Sequence, residues 1–121
     1  MTRWIRRLLL AALVASVAPI VAAHAKLERT VPAAGGAVRQ SPPRVTLWFS
    51  QRLEPAFSRL RVLNPQGKQV DNGDAQIDPT DAKQIGVSLP KLAPGSYSVR
   101  WRVLSMDTHV SEGSFAFNVG P

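Results

Sequence analysis

The sequence predicts an all-β fold: a small antiparallel β-sandwich or barrel with Greek-key connections, of the immunoglobulin-like or cupredoxin-like kind. Three observations support this prediction. From residue 27 onward, apolar and polar side chains alternate in several short segments, which is typical of strands with one buried face. Proline and glycine residues stand between these segments, where the chain has to reverse. After residue 23, no ten-residue stretch shows a convincing helical period.

Six segments are expected to form strands. Leu27 lies in the first, and the other five are marked by alternating apolar residues: Val45, Leu47 and Phe49; Leu60 and Val62; Ile85, Val87 and Leu89; Tyr97, Val99, Trp101 and Val103; Phe115, Phe117 and Val119. Trp48 and Trp101 are interpreted as core residues. Turns are expected at residues 32–36, 41–43, 64–67 and 93–95. Residues 71–83 contain four aspartates and are expected to form a longer, solvated loop.

The first 23 residues have the features of an export signal. Three arginines precede an apolar run at residues 8–18, and small residues follow up to Ala23. The run is shorter than the roughly 20 residues that a spanning helix requires. We therefore expect cleavage after Ala23, which leaves a domain of residues 24–121. Ala25 ends a second possible cleavage site, and cleavage there would remove His24.

The charge of the chain gives no evidence for a nucleic-acid partner. The formal net charge of +7 includes the arginines of the signal. The arginines of the predicted strands (Arg44, Arg59, Arg61, Arg100 and Arg102) are spread along the sequence and form no concentrated basic patch of the kind that binds nucleic acid. We interpret them as a solvated strand face. Without any cysteine, the chain has no disulfide framework and no thiolate metal site.

The chemistry-bearing residues are the two histidines of the chain, His24 and His109, together with Asp107. After cleavage, His24 offers an α-amine and an imidazole from one residue. On an extended segment, Asp107 and His109 point to the same side. Three nitrogens and one oxygen suit Cu(II) in a tetragonal site, whereas zinc prefers a tetrahedral one. Asp-x-His also occurs by chance, so histidines without a ligand role stay an alternative at this point.

The mature part resembles the CopC-type periplasmic copper-resistance proteins over nearly its whole length. The resemblance is carried by His24-Ala25-Lys26-Leu27 with Pro32-Ala33, by Val45-Thr46-Leu47-Trp48-Phe49-Ser50, by Leu92-Ala93-Pro94-Gly95-Ser96-Tyr97, by Val99-Arg100-Trp101-Arg102-Val103, by Ser105-Met106-Asp107-Thr108-His109 and by Gly113-Ser114-Phe115-Ala116-Phe117. It implies one Cu(II) per chain, bound by His24, Asp107 and His109.

Two departures from the family pattern accompany the resemblance. Many relatives have a methionine-rich Cu(I) site, whereas Met106 is the only methionine that remains after signal cleavage. This indicates a protein that binds Cu(II) only, because one thioether is not a soft Cu(I) site. Gln51 stands where relatives often have a glutamate, and Glu54 follows it.

The resemblance also implies a role. We expect a soluble, monomeric and non-catalytic copper carrier or buffer in the periplasm, which hands copper to an inner-membrane transporter of the CopD type. One alternative is a copper-dependent oxidative enzyme that uses an N-terminal histidine brace. The other is a metal-free immunoglobulin-like interaction module.

Overall fold

In the computed structural model, which describes residues 25–121, two four-stranded sheets pack face to face. The eight strands are β1 (Leu27–Val31), β2 (Ala37–Val38), β3 (Arg44–Phe49), β4 (Arg59–Leu63), β5 (Gln76–Asp78), β6 (Asp81–Ser88), β7 (Gly95–Leu104) and β8 (Val110–Val119). Within residues 25–121 the one helical element is a 3₁₀ turn at Pro55–Phe57, and no helix there is long and apolar enough to cross a membrane. The predicted signal peptide and His24 lie outside the described residues.

The strand order of the sandwich requires several crossings between the sheets. One sheet has the order β1-β3-β6-β5 and the other has the order β2-β8-β7-β4. The short β2 pairs in parallel with β8, and the other pairs are antiparallel. The longest pair is the β7–β8 hairpin, in register from Gly95 opposite Val119 to Leu104 opposite Val110. Its turn, residues 105–109, therefore projects at one end of the sandwich.

The core lies between the two sheets and consists of the inward-facing residues of the alternating segments. Val45, Val62, Val87, Val99 and Phe117 are fully buried. Because side chains in a strand alternate between the two faces, burying one set leaves the intervening polar set on the outside. This arrangement confirms the predicted all-β sandwich class.

The aromatic residues divide between the core and the surface. Trp101 packs against the core, with its ring centroid 6.1 Å from that of Phe49. Trp48, also expected in the core, is instead half-buried, with the guanidinium of Arg29 at 4.5 Å from the centroid of its ring. Trp48 lies between two buried neighbours in β3, so the alternation of the strand turns it away from the core.

The prediction of a long loop over residues 71–83 is wrong. This segment contains β5 and the first residues of β6, which pair as a short antiparallel hairpin. Its turn is stabilised by Asp78, whose Oδ1 accepts hydrogen bonds from the backbone N–H groups of Thr80 at 2.8 Å and of Asp81 at 3.1 Å. Asp78, expected to be only solvated, is therefore an acceptor that stabilises a turn.

Candidate metal centre

The turn between β7 and β8 carries two of the three predicted ligands, Asp107 and His109. The backbone N–H of Ser105 donates to the carbonyl of His109 at 2.9 Å, and the N–H of Thr108 donates to the carbonyl of Ser105 at 2.9 Å. Thr108 has a φ of +71°, in the left-handed region that β-branched residues rarely adopt. The chain therefore reverses tightly over these five residues.

The Asp107 and His109 side chains meet on this turn. The Nδ1 atom of His109 lies 3.2 Å from Oδ2 of Asp107. We expected the two side chains to converge because an extended segment places them on one side. That reason is wrong, since residues 105–109 form a turn in which the left-handed Thr108 brings the side chains together. The exposed fractions are 38% for the His109 side chain and 41% for that of Asp107, so both are accessible from solvent.

Ser105, which the sequence did not single out, is a buried hydrogen-bonding partner of both Asp107 and His109. It is fully buried, and its hydroxyl donates a short hydrogen bond to Oδ1 of Asp107. The hydroxyl oxygen of Ser105 also accepts a hydrogen bond from the backbone N–H of His109 at 3.3 Å. The Ser105 hydrogen bond and, to a smaller extent, the neighbouring His109 hold the pKa of the Asp107 carboxyl below its ordinary value, against a partial burial that raises it. Asp107 is therefore an ionised carboxylate at neutral pH.

One sequence signal could have identified Ser105. Serine and aspartate both favour turns because their side chains hydrogen-bond to nearby backbone groups, so Ser105 and Asp107 between two strands indicate a turn with local side-chain hydrogen bonds. The burial of Ser105 and its two contacts assign it a supporting role for the ligands.

The N-terminal end of the described chain lies at the same end of the sandwich as this turn. Ala25 is buried in the core. The backbone N–H of Lys26 donates to the hydroxyl oxygen of Ser50 at 2.9 Å, and the backbone N–H of Ser50 donates to the carbonyl of Lys26 at 2.8 Å. Two residues further on, the carbonyl of Arg52 accepts the N–H of Met106 at 2.9 Å. Residues 50–52 thus connect the start of the domain to the β7–β8 turn.

Residues 25–121 do not complete a metal site by themselves. They contain no group of three or more His, Asp or Glu side chains that could hold a metal ion. Asp107 and His109 supply two donors, fewer than a tetragonal or tetrahedral ion takes from a protein. The third predicted ligand, His24, lies outside the described residues. Gln51 and Glu54 are both half-buried on the segment that joins the N-terminal end to the turn.

Comparison with known proteins identifies the relatives of this chain. A family model for the CopC domain matches residues 27–120. The chain is 38% identical over 104 residues to Protein YobA of Escherichia coli strain K12, covering 85% of this chain and 84% of YobA.

Solved structures give the same relationship. The crystal structure of CopC from Methylosinus trichosporium OB3b has a TM-score of 0.76 and 39% identity, over 81% of this chain and 95% of that one. PcoC, a methionine-rich copper resistance protein from Escherichia coli, has a TM-score of 0.67 and 32% identity, over 80% and 99% of the two chains.

Proposed function

This chain belongs to the CopC domain family, and from that premise we propose that it is a periplasmic carrier or buffer that binds one Cu(II) per chain. The observation that supports the proposal is the contact between Asp107 and His109 in one accessible turn. The start of the described chain lies at the same end of the domain. His24, freed by cleavage after Ala23, would add its α-amine and its imidazole to these two side chains.

The donor set fits Cu(II) chemically. The carboxylate of Asp107 is ionised at neutral pH, and an α-amine has an ordinary pKa near 8, so copper displaces its proton at little cost. Three nitrogens and one oxygen match the tetragonal preference of Cu(II). The solved relative PcoC is described as methionine-rich, whereas Met106 is the only methionine of residues 24–121. The protein is therefore proposed to bind Cu(II) without a separate Cu(I) site.

The exposure of the ligands fits a carrier. A partner can approach Asp107 and His109 directly, because each side chain is about two-fifths exposed. We infer that the recipient is an inner-membrane copper transporter of the CopD type. With Asp107 bound to copper, the ion has fewer open positions for oxygen than in a histidine-brace enzyme. A carrier role is therefore preferred to an oxidative one.

The free amine of His24 provides the sharpest test of this proposal. We expect residues 24–121 to bind Cu(II) at least 100-fold more tightly than the same protein with one glycine added before His24. The added residue turns the amine into an amide, which is a poor ligand while it keeps its proton, and each tenfold loss corresponds to about 1.4 kcal/mol. Affinities are measured by competition with a chelator of known strength.

The matched control carries the extra glycine after Pro121 and should bind like the mature protein. Asp107→Ala and His109→Ala should each weaken binding as well. Equal affinities of the N-terminally extended and the mature protein would contradict the N-terminal chelate. Loss of binding in the C-terminally extended control would show that the added residue acts without regard to position.

A further inference from the structure

The strand register brings four arginines together on the outer face of the second sheet. Arg59 of β4 lies opposite Arg102 of β7, and Arg61 lies opposite Arg100 in the next outward-facing row. All four side chains are exposed. These arginines lie on a solvated strand face, as the sequence predicts, but the pairing of two strands about 40 residues apart in the sequence clusters them in space. We call these four residues the arginine face.

The arginine face has little compensating negative charge. In the described part of the chain, its one ion pair joins Arg102 to Glu112 of β8 at 3.3 Å, and both side chains are more than half exposed. Arg59, Arg61 and Arg100 form no ion pair with residues 25–121. Like charges directly opposite each other on neighbouring strands destabilise a sheet. The fold therefore retains an arrangement that is unfavourable without an anionic partner.

The arginine face is concave. All four arginines line a cavity of about 820 Å³, together with Gln69, Gly73 and Ala75 from the connection between β4 and β5. Its floor is formed by β4, β7 and β8, and it lies on the hairpin that ends in the Asp107–His109 turn. A volume of this size accommodates a ligand or a short peptide segment.

We propose that the arginine face is a docking surface for an acidic segment of a partner protein. Guanidinium groups bind carboxylates through paired hydrogen bonds, so the charge of the face selects an anion. The two arginine rows are about 7 Å apart along the strands, the same interval as every second side chain of an extended peptide. A peptide with alternating acidic residues matches both rows, whereas a single small anion spans one.

The test measures fluorescence anisotropy of a labelled peptide of alternating glutamate and serine, at low ionic strength and without copper. The mature protein should bind this peptide, and it should not bind the matched peptide of glutamine and serine. Arg61→Gln/Arg100→Gln should weaken binding about tenfold, because two exposed charge pairs are lost. Arg39→Gln/Lys83→Gln, which removes the same charge from exposed positions elsewhere, should leave the affinity within about twofold.

Several results would overturn the proposal. One is equal binding by the arginine double variant, and another is an equal loss in the control variant, which would indicate a non-specific charge effect. Arginine-dependent binding of phosphatidylglycerol vesicles or of inorganic phosphate, with no binding of the acidic peptide, would assign the face to a lipid or a small anion. Urea unfolding should show the arginine variant to be at least as stable as the wild type, since repulsion is removed. The measurement contains no copper, so its outcome is independent of the proposed metal site.

Discussion

At the scale of single residues, the candidate site depends on a buried hydroxyl that contacts two exposed candidate ligands. Asp107 and His109 are accessible from solvent, and exposed side chains are not held in one geometry without support. Ser105 supplies that support, because its oxygen contacts both the carboxylate of Asp107 and the backbone N–H of His109. Hydrogen-bonding partners of this kind orient metal ligands and influence affinity.

We therefore expect Ser105→Ala to weaken Cu(II) binding about tenfold, which is at the low end for groups that orient metal ligands. The pKa of Asp107 in the metal-free protein should rise toward its ordinary value, because its largest stabilising hydrogen bond is lost. The carboxylate stays ionised at pH 7, so the loss of affinity reflects orientation. Chelator competition and carboxyl NMR titration measure the two effects. The control is Ser114→Ala at an exposed position, and an unchanged affinity in Ser105→Ala would argue against the supporting role.

At the scale of secondary-structure elements, the sequence predicts what is local. The alternation of apolar residues predicts β3, β4, β6, β7 and β8, because burial of one face acts at every second position. The three-residue β5 is too short to show such a period, and it was missed. The clustering of the arginines depends on the pairing of β4 with β7, which no local pattern contains. The contact of Asp107 with His109 was expected from an extended segment, whereas it arises in a turn. The left-handed backbone of Thr108 could not be predicted, because β-branched residues rarely adopt it.

One close packing contact in the β7–β8 hairpin is testable. Gly113 lies opposite Trp101, and a Cβ atom on Gly113 would lie 2.4 Å from Cζ2 of the indole. The Trp101 ring is held by Phe49 and Phe115, so it has little room to move. We expect Gly113→Ala to lower the free energy of unfolding by about 1–3 kcal/mol, as overpacking does. Urea unfolding followed by circular dichroism measures this change.

The matched control for that substitution is Gly120→Ala. A Cβ atom there would lie 3.5 Å from the carbonyl oxygen of Val38, an ordinary contact. It should therefore change the stability little. If Gly113→Ala is as stable as this control, the indole is not tightly held.

The connection between β4 and β5 gives a pH-dependent prediction. Asp74 accepts the backbone N–H of Ser88 at 2.8 Å and also the Ser88 hydroxyl, and these bonds hold its pKa below the ordinary value. A carboxyl with a lowered pKa stabilises the fold above its ordinary pKa of about 3.9, and this contribution is lost as the pH falls through the lowered value. Asp74→Asn should therefore be less stable than the wild type at pH 6.

The difference between Asp74→Asn and the wild type should shrink as the pH falls below about 4, because the carboxyl is then protonated first in the unfolded chain and, below its lowered pKa, in the folded protein too. Urea unfolding at pH 6 and at pH 3 measures both values. Glu28→Gln, at an exposed position on β1, is the control for a general loss of negative charge. A difference that stays constant across this range would show that the hydrogen bonds of Asp74 do not depend on its charge.

At the scale of the whole molecule, the proposed site joins parts of the chain that are far apart in sequence. The N-terminal end belongs to the sheet that contains β1 and β3, whereas the Asp107–His109 turn belongs to the sheet that contains β7 and β8. Residues 50–54 connect them, with Glu54 donating its N–H to the carbonyl of Leu104 at 2.8 Å. A metal bound by both parts would therefore link the two sheets at one end of the sandwich.

Copper should consequently stabilise the fold. A ligand that binds only the folded chain adds about 2.7 kcal/mol at 100 times its Kd. The increase here should be smaller, because the α-amine and the imidazole of His24 belong to one residue and still bind Cu(II) in the unfolded chain. The stabilisation then measures what folding adds, which is the contribution of Asp107 and His109. Differential scanning calorimetry of the mature protein should show a Tm that rises with free Cu(II).

The double variant Asp107→Ala/His109→Ala should lose this rise in Tm. It keeps the chelate of His24, but its folded and unfolded states then bind copper equally well, so copper no longer favours folding. The chain extended by one glycine before His24 should also show a smaller rise, because its amine is displaced from the site. The two variants differ in which end of the site they remove, so together they test whether copper bridges the sheets. An undiminished rise in the double variant would place the copper elsewhere on the molecule.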